Sequence, residues 1–282
     1  MNPLVSQAWL TNHLRPGRVG DHDLVLLDAT LPPVGVTPVV DTYTRYLDQH
    51  IPGAVFFDIE ALSDHATNLP HMLPTPEAFA ISMSALGISD TDYIVVYEQK
   101  GVFSAPRAWW MLRTLGAKNV SVLDGGLEGW IDSGAPVQSG KVYRAATHFH
   151  ANLDLAAVKD LAAVKSLLSQ HGQVLDARST ARFNGTAPEP RQGLRSGHMP
   201  GAISLPFTEL LHEGRLMGSD HLRATFNAKN IDLDHPITTT CGSGVTAAVL
   251  ALALEVVGAP SVSLYDGSWA EYASQPDTEI LP

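Results

Sequence analysis

Cys241 is the only cysteine in the 282-residue chain, and it opens the run Cys241-Gly242-Ser243-Gly244-Val245-Thr246. Just before it, Thr238-Thr239-Thr240 is β-branched and reads as the end of a central strand. Just after it, residues 245–257 are almost wholly apolar and read as a buried helix. The cysteine is therefore expected at a strand-to-helix turn on the carboxyl edge of a parallel sheet, where open α/β folds bind ligands. Two glycines let the backbone curl so that amide N–H groups point inward, and a helix N-terminus adds partial positive charge. Such a cradle stabilises a thiolate, which is the nucleophilic form of the side chain. An arbitrary free cysteine is more often a small buried hydrophobe. The glycine-lined turn is what makes Cys241 a candidate nucleophile, with Gly242, Gly244, Val245 and Thr246 as candidate contacts of whatever it binds.

The formal net charge of −11 argues against a general nucleic-acid or acidic-membrane surface, so an anionic substrate would need a local cluster of cations. Arg178, Arg182, Arg191 and Arg195 crowd one segment rich in glycine and proline between two predicted strands. Arginine recognises carboxylates bidentately, so this segment is a candidate carboxylate site. Residue types alone leave open an ordinary solvated loop.

A lone cysteine excludes an internal disulfide, a cysteine-based zinc cluster and a CxxC redox pair, and it fits a reducing, cytoplasmic compartment. The first residues, MNPLVSQAWLTNHLRPG, show no charged leader with an apolar core and cleavage site, so no secretory signal is expected. No apolar run approaches the roughly 18–20 residues of a membrane span. His148-Phe149-His150 is best read as linker sequence, since no third metal ligand is in view. Neither a metal nor a cofactor is expected.

The elements that must position these residues are legible because the chain repeats itself. His50-Ile-Pro-Gly-Ala-Val55 reads like His198-Met-Pro-Gly-Ala-Ile203, and Val122-Leu-Asp-Gly-Gly126 reads like Leu264-Tyr-Asp-Gly-Ser268. Between these pairs, Ile94-Val-Val-Tyr97 matches Ile237-Thr-Thr-Thr240, and Leu115-Gly-Ala117 matches Val257-Gly-Ala259. Matches in the same order at near-constant spacing indicate duplicated domains, 1–140 and 153–282, joined by a linker at 141–152. Strands are predicted at 24–28, 54–57, 93–97 and 120–123, with helices at 76–86, 105–115 and 127–133. The second half repeats the pattern, with strands at 174–176, 202–205, 236–240 and 262–265 and helices at 155–170, 245–257 and 268–273. Short apolar strands alternating with helices give an α/β class, each domain a mostly parallel sheet covered on both faces. In the first half Glu98-Gln-Lys-Gly101 stands where the second has Cys241-Gly-Ser-Gly244, so only one copy carries the nucleophile. His50 and His198 belong to turns present in both copies and read as structural, and Trp109 and Trp110 read as core.

Over nearly its whole length the chain resembles the tandem-domain rhodanese-type sulfurtransferases. The segments HIPGAVFFD, SAPRAWWMLRTLGA, LDGGLEGW and GHMPGAISLP carry the likeness, and the loop CGSGVT resembles that of the 3-mercaptopyruvate sulfurtransferases. The resemblance implies a silent first domain, an active site in the cleft between domains, and sulfur transfer through a persulfide on Cys241. It also implies that Arg182, in ARFNG, and Arg191, in EPRQG, hold the donor's carboxylate and carbonyl, while Arg178 and Arg195 are structural or peripheral. Ser243 resembles the serine of a Ser-His-acid relay, with His71 and Glu60 as its matching first-domain members. The family usually has Asp where Glu60 stands.

Two features bear on the reaction. Cysteine-dependent phosphatases of related fold need an arginine six positions after the nucleophile, and here that position is Ala247. Thiosulfate-using rhodaneses resemble the pattern CRKGVT, whose two cations suit a compact dianion. Here the corresponding residues, Gly242 and Ser243, are neutral, which suits a donor with its charge on a remote carboxylate. The expected activity is transfer of sulfur from a mercapto-acid to thioredoxin, a small thiol or cyanide. Two alternatives stay open, a thiosulfate:cyanide sulfurtransferase and a persulfide carrier module with little turnover.

Overall fold

The computed structural model describes residues 2–32 and 39–282. They form two compact units. The first comprises residues up to Ser63, Pro74–Asp154 and Glu213–Arg215; the second comprises Asp64–Leu73, Leu155–His212 and Leu216–Pro282.

In the first unit the elements run β1 (Leu4–Val5), α1 (Gln7–Leu14), β2 (Arg18–Val19), β3 (His22–Asp28), α2 (Thr42–Asp48) and β4 (Val55–Phe56). They continue with α3 (Pro76–Ala85), β5 (Tyr93–Tyr97), α4 (Ala105–Thr114), β6 (Asn119–Leu123) and α5 (Gly126–Asp132). The sheet has the order β1-β6-β5-β3, with β4 parallel and β2 antiparallel on β3. Every residue of β5 is buried, as expected of a parallel strand covered on both faces. Side-chain caps start the helices: Ser6 accepts from Trp9 N–H, Asp41 from Thr44 N–H, and Thr75 from Ala78 N–H just before Pro76.

The second unit contains β7 (Val158–Lys159), α6 (Leu161–Ser169), β8 (Gln173–Asp176), α7 (Thr180–Phe183), β9 (Ile203–Ser204), a hairpin β10 (Leu211–His212) and β11 (Arg215–Leu216), and α8 (Ser219–Ala228). It ends with β12 (Ile237–Thr240), α9 (Ala247–Val256), β13 (Val262–Tyr265) and α10 (Ser268–Tyr272). Its sheet, β7-β13-β12-β8-β9, is parallel throughout. Strand for strand this repeats β1-β6-β5-β3-β4, so the internal sequence matches correspond to a duplicated topology. Residues Ala247–Leu254 of α9 are all buried, and a helix apolar all round belongs inside.

Three differences from the sequence reading have local causes. The helix expected from 155 begins at Leu161, because Asp160 accepts the Ala163 N–H at 2.8 Å and caps it there, after the short strand β7. Helices α1, α2, α7 and α8 went unpredicted: α1, α2 and α7 are short and each buries one or two residues, whereas α8, with Leu222 and Phe226 buried four apart, carried a readable period and was missed. Residues 64–73, within the first half of the sequence, pack with the second unit.

The stretch around 141–152 is irregular but bonded to the first unit. Thr147 and Phe149 N–H groups donate to Ser84, and Asn152 N–H donates to Leu115 O. The His148 and His150 rings meet edge to face at 4.2 Å. Among the described residues no group of three His, Cys, Asp or Glu side chains could hold a metal ion. No helix among them is long and apolar enough to cross a membrane. His50 and His198 play matching parts at their turns: Nδ1 of each bonds a backbone carbonyl, Tyr46 O at 2.7 Å and Phe183 O at 2.9 Å. Trp109 and Trp110 are buried in α4.

Candidate active site

Cys241 follows the last residue of β12, and the loop 241–246 joins that strand to α9. Gly244 takes the left-handed conformation with φ of +79°, which bends the chain sharply into the helix. The first turn of α9 presents N–H groups without partners in their own helix. Two bonds from the start of α10 pin the other side of the loop: Trp269 N–H donates to Cys241 O at 2.9 Å and Ala270 N–H to Gly242 O at 3.0 Å. Cys241 N–H donates to Ser268 Oγ at 3.4 Å, and Ser268 Oγ–H donates to Tyr265 O at 2.8 Å. Ser268 has φ of +50°, a conformation costing a non-glycine residue about 1–2 kcal/mol. Those two bonds help to offset that strain. The cysteine is only 2% exposed, and Ser243 and Val245 are also buried.

The first unit shows what such a turn holds. Leu127 N–H donates to Glu98 O and Glu128 N–H to Gln99 O, the same pair of pins at the corresponding turn. Glu98 thus stands at the position of Cys241, as the sequence alignment of the halves expects. Its carboxylate accepts the N–H groups of Phe103 (2.5 Å), Ser104 (2.9 Å) and Ala105 (3.0 Å) at the start of α4, and the Ser104 hydroxyl as well. The cradle in this copy is filled by the chain's own carboxyl group. Burial outweighs these bonds and pushes the Glu98 carboxyl up to about 7.

The arginine segment lies beside the cysteine loop of the second unit. Arg182, in α7, sits so that a Cβ added to Gly242 would lie 2.8 Å from its Nη2. Gly242 is therefore more than uncharged: it leaves the room that the guanidinium occupies. The Glu189 carboxylate holds Arg182 through Nε at 3.3 Å and through Nη2. The same carboxylate accepts Arg178 Nη1 at 2.8 Å. Arg178 is fully buried, bonded to Asp176 and to Gly197 O, with its guanidinium carbon 4.0 Å from the centre of the Trp269 ring. Arg195 bonds the carbonyls of Ala273 and Thr278 near the C-terminus. Both have the structural roles expected of them.

Arg191 Nη2 lies 3.3 Å from His71 Nε2. Arginine only donates, so the imidazole accepts at Nε2 and carries its proton on Nδ1. His71 has φ of +60° within the segment 64–73. Asp64 N–H closes this segment on Met72 O, and Leu73 N–H anchors it to the Asp266 carboxylate at 2.8 Å. These bonds explain why His71 joins the second unit rather than the half of the sequence that contains it. Glu60 is an exposed residue of a turn in the first unit. The second unit thus contains Cys241, Ser243, Arg182, Arg191 and His71, with Arg182 against Gly242 and Arg191 against His71. Glu189 was not singled out from the sequence, although an acid beside four arginines, two residues before Arg191, was a usable signal.

Two parallel α/β units of matching topology, one of them carrying a buried cysteine with an arginine laid against its loop, define a duplicated α/β protein with a single candidate nucleophile. The Rhodanese-like domain profile matches residues 8–133 and 160–275, and the chain belongs to the rhodanese family. It is 45% identical over 281 residues to 3-mercaptopyruvate sulfurtransferase of Escherichia coli strain K12, covering 99% of this chain and 97% of that one. It is 41% identical over 273 residues to chicken (Gallus gallus) thiosulfate sulfurtransferase, covering 95% of this chain and 92% of that one. The crystal structure of SseA from Escherichia coli, described as a 3-mercaptopyruvate sulfotransferase of rhodanese fold, superposes with a TM-score of 0.86 at 43% identity. That match covers 95% of this chain and 99% of the other.

The Glu98 cradle makes a pH prediction. A folded-state pKa near 7, above the ordinary 4.5, means that ionisation is disfavoured by the fold. The stability this group contributes is complete below about 4.5 and lost as pH rises through about 7. Glu98→Gln is therefore expected to flatten the decline in urea stability between pH 5 and pH 8. An unaltered decline in the variant would show that Glu98 is already ionised in the fold at pH 5.

Proposed function

We propose that the chain is a 3-mercaptopyruvate sulfurtransferase working through a persulfide on Cys241. The observation that carries this reading is Arg182 laid against Gly242 beside the nucleophile, with Arg191 supplied from the same segment. Two guanidinium groups carried by a separate segment, with no cationic side chain in the cysteine loop itself, suit a donor whose carboxylate and carbonyl lie remote from its sulfur.

In the reaction the Cys241 thiolate attacks the sulfur of 3-mercaptopyruvate. The S–S bond forms as the C–S bond breaks, and the electron pair moves onto the former substrate as the enolate of pyruvate. Arg182 and Arg191 stabilise the charge that grows on its oxygens. The proton lost by the donor thiol is the one the enolate carbon gains, so the half-reaction ends with a persulfide anion and neutral-carbon pyruvate without net proton exchange. Ser243 and His71 serve as the proton relay, with Glu60 as its third member in the family pattern. The loop N–H groups and the start of α9 stabilise the thiolate and then the persulfide, in the way the first unit's turn accommodates Glu98. A thiol such as thioredoxin or a small thiol, or cyanide, removes the outer sulfur. A cysteine that must remain a free thiol suits a cytoplasmic setting.

The similarity to chicken thiosulfate sulfurtransferase favours one second reading, thiosulfate as donor. Comparing kcat/KM on the two donors, with both a small thiol and reduced thioredoxin as acceptors, separates them. The expected result is a preference for 3-mercaptopyruvate of at least about tenfold, and a clear preference for thiosulfate would overturn the assignment. Cys241→Ser should abolish pyruvate release; full activity in that variant would sink the persulfide mechanism.

Gly242→Ala should push Arg182 aside and raise KM for 3-mercaptopyruvate about tenfold. An unchanged KM, with Arg182 still over the loop in the variant's crystal structure, would remove this steric role.

A further inference from the structure

We propose that Glu189 is the positioning residue of the donor site, fixing Arg182 over the cysteine loop and setting the stretch of chain from which Arg191 projects. This rests on the reading of Arg182 and Arg191 as the donor's carboxylate and carbonyl partners.

Glu189 has a side chain only 2% exposed, and a buried carboxylate is tolerated only where cations and donors satisfy it. Two arginines do so, and they differ in kind. Arg178 is immobile: its side chain is fully buried, it makes a forked pair with Asp176 at the end of β8, it bonds Gly197 O, and it lies over Trp269. Arg182 is 22% exposed on its side chain and belongs to a helix of only four residues. A long side chain so placed has several rotamers open to it, and the entropy of those rotamers resists its being held in one. Glu189 connects the rigid cation to the mobile one. The sequence Asp176, Arg178, Glu189, Arg182 is a run of alternating charges leading from the central sheet to the surface of Gly242.

The geometry of the last contact matters. Glu189 grips the edge of Arg182 formed by Nε and Nη2, and Nη2 is also the atom against Gly242. The other edge, with Nη1, is left facing away from Glu189 for a planar carboxylate. One residue further on, Pro190 fixes the backbone dihedral φ, and Arg191 follows at 3.3 Å from His71 Nε2. Anchoring Glu189 therefore orients both arginines at once.

Charge and position predict opposite signs, which makes the proposal testable. Removing the Glu189 charge makes the site more positive, so electrostatics alone would tighten the hold on an anionic donor. Loss of positioning would loosen it. With the full chain, we expect Glu189→Gln to raise KM for 3-mercaptopyruvate about tenfold while kcat changes by less than about threefold. Glu189→Asp, which keeps the charge on a shorter stem, should fall between wild type and Glu189→Gln. In an Arg182→Ala background, Glu189→Gln should add less than about twofold to KM, because its effect runs through Arg182.

A second readout guards against a merely structural role. Inorganic polysulfide is anionic but carries no carboxylate to be oriented, so persulfidation of Cys241 by it, followed by intact mass, should be at least as fast in Glu189→Gln as in wild type. An unchanged or lowered KM would overturn the proposal. So would KM effects that multiply with those of Arg182→Ala, or polysulfide labelling that falls in step with turnover. Should Glu189→Gln fail to fold, Glu189→Asp carries the same comparisons. A wild-type protein inactive on 3-mercaptopyruvate but active on thiosulfate would reject the donor assignment instead, and the same variants would then be read on thiosulfate.

Discussion

The N–H groups that open a buried helix need an acceptor, and the two halves of the chain place different side chains at this turn. In the first unit the acceptor is the Glu98 carboxylate, gathered by three successive N–H groups at the start of α4. In the second the position belongs to Cys241, whose side chain has no oxygen to offer. The same scaffold thus holds a self-satisfied carboxyl group in one copy and a thiol in the other. The pins from α5 and α10 onto the two loops are duplicated bond for bond, so the difference lies in the side chain and not in the scaffold.

Around the reactive turn, the fold manages two further liabilities. Asp176, Arg178 and Glu189 are all removed from water, and each survives because its neighbour has the opposite sign. Ser268 holds a left-handed conformation that its counterpart Gly126 adopts without a side-chain clash, and its hydroxyl is bonded on both sides of that strain. Both features sit where β13 and β8 end, flanking the strand that delivers Cys241. In the first unit, the residue that matches Gly242 is Gln99, and its side chain turns to the Asp28 carboxylate at 2.8 Å. In the second unit Arg178 has taken over the matching acid, Asp176. Gly242 is then free to have no side chain, and Arg182 fills the space.

Much of this was legible in the amino-acid sequence. The paired HxPGA and DGG/DGS runs, the apolar helix after Cys241 and the glycines beside it are local signals, and local signals survive without coordinates. They indicated the duplication and the parallel α/β class, both of which the fold has, and marked Cys241 as the candidate nucleophile with Glu98 at its place in the other copy. Helices α1, α2 and α7 escaped because short elements that bury one or two side chains leave little period, while the period of α8 was readable and missed. Glu189 stood in a readable place, but which of the four nearby arginines it meets is set only by packing.

By itself, then, the sequence determined the scaffold and the chemistry of its one thiol, since strand, turn and helix are written in neighbouring residues. The tertiary structure decided which cation lies against the loop of that thiol. Arg178 is locked into the interior by Asp176 and Trp269, Arg182 is carried to Gly242 by Glu189, and residues 64–73 are drawn to the second unit by Asp266. These are contacts between residues distant in the chain or indistinguishable in type. Only packing, which weighs burial against charge pairing in three dimensions, separates them.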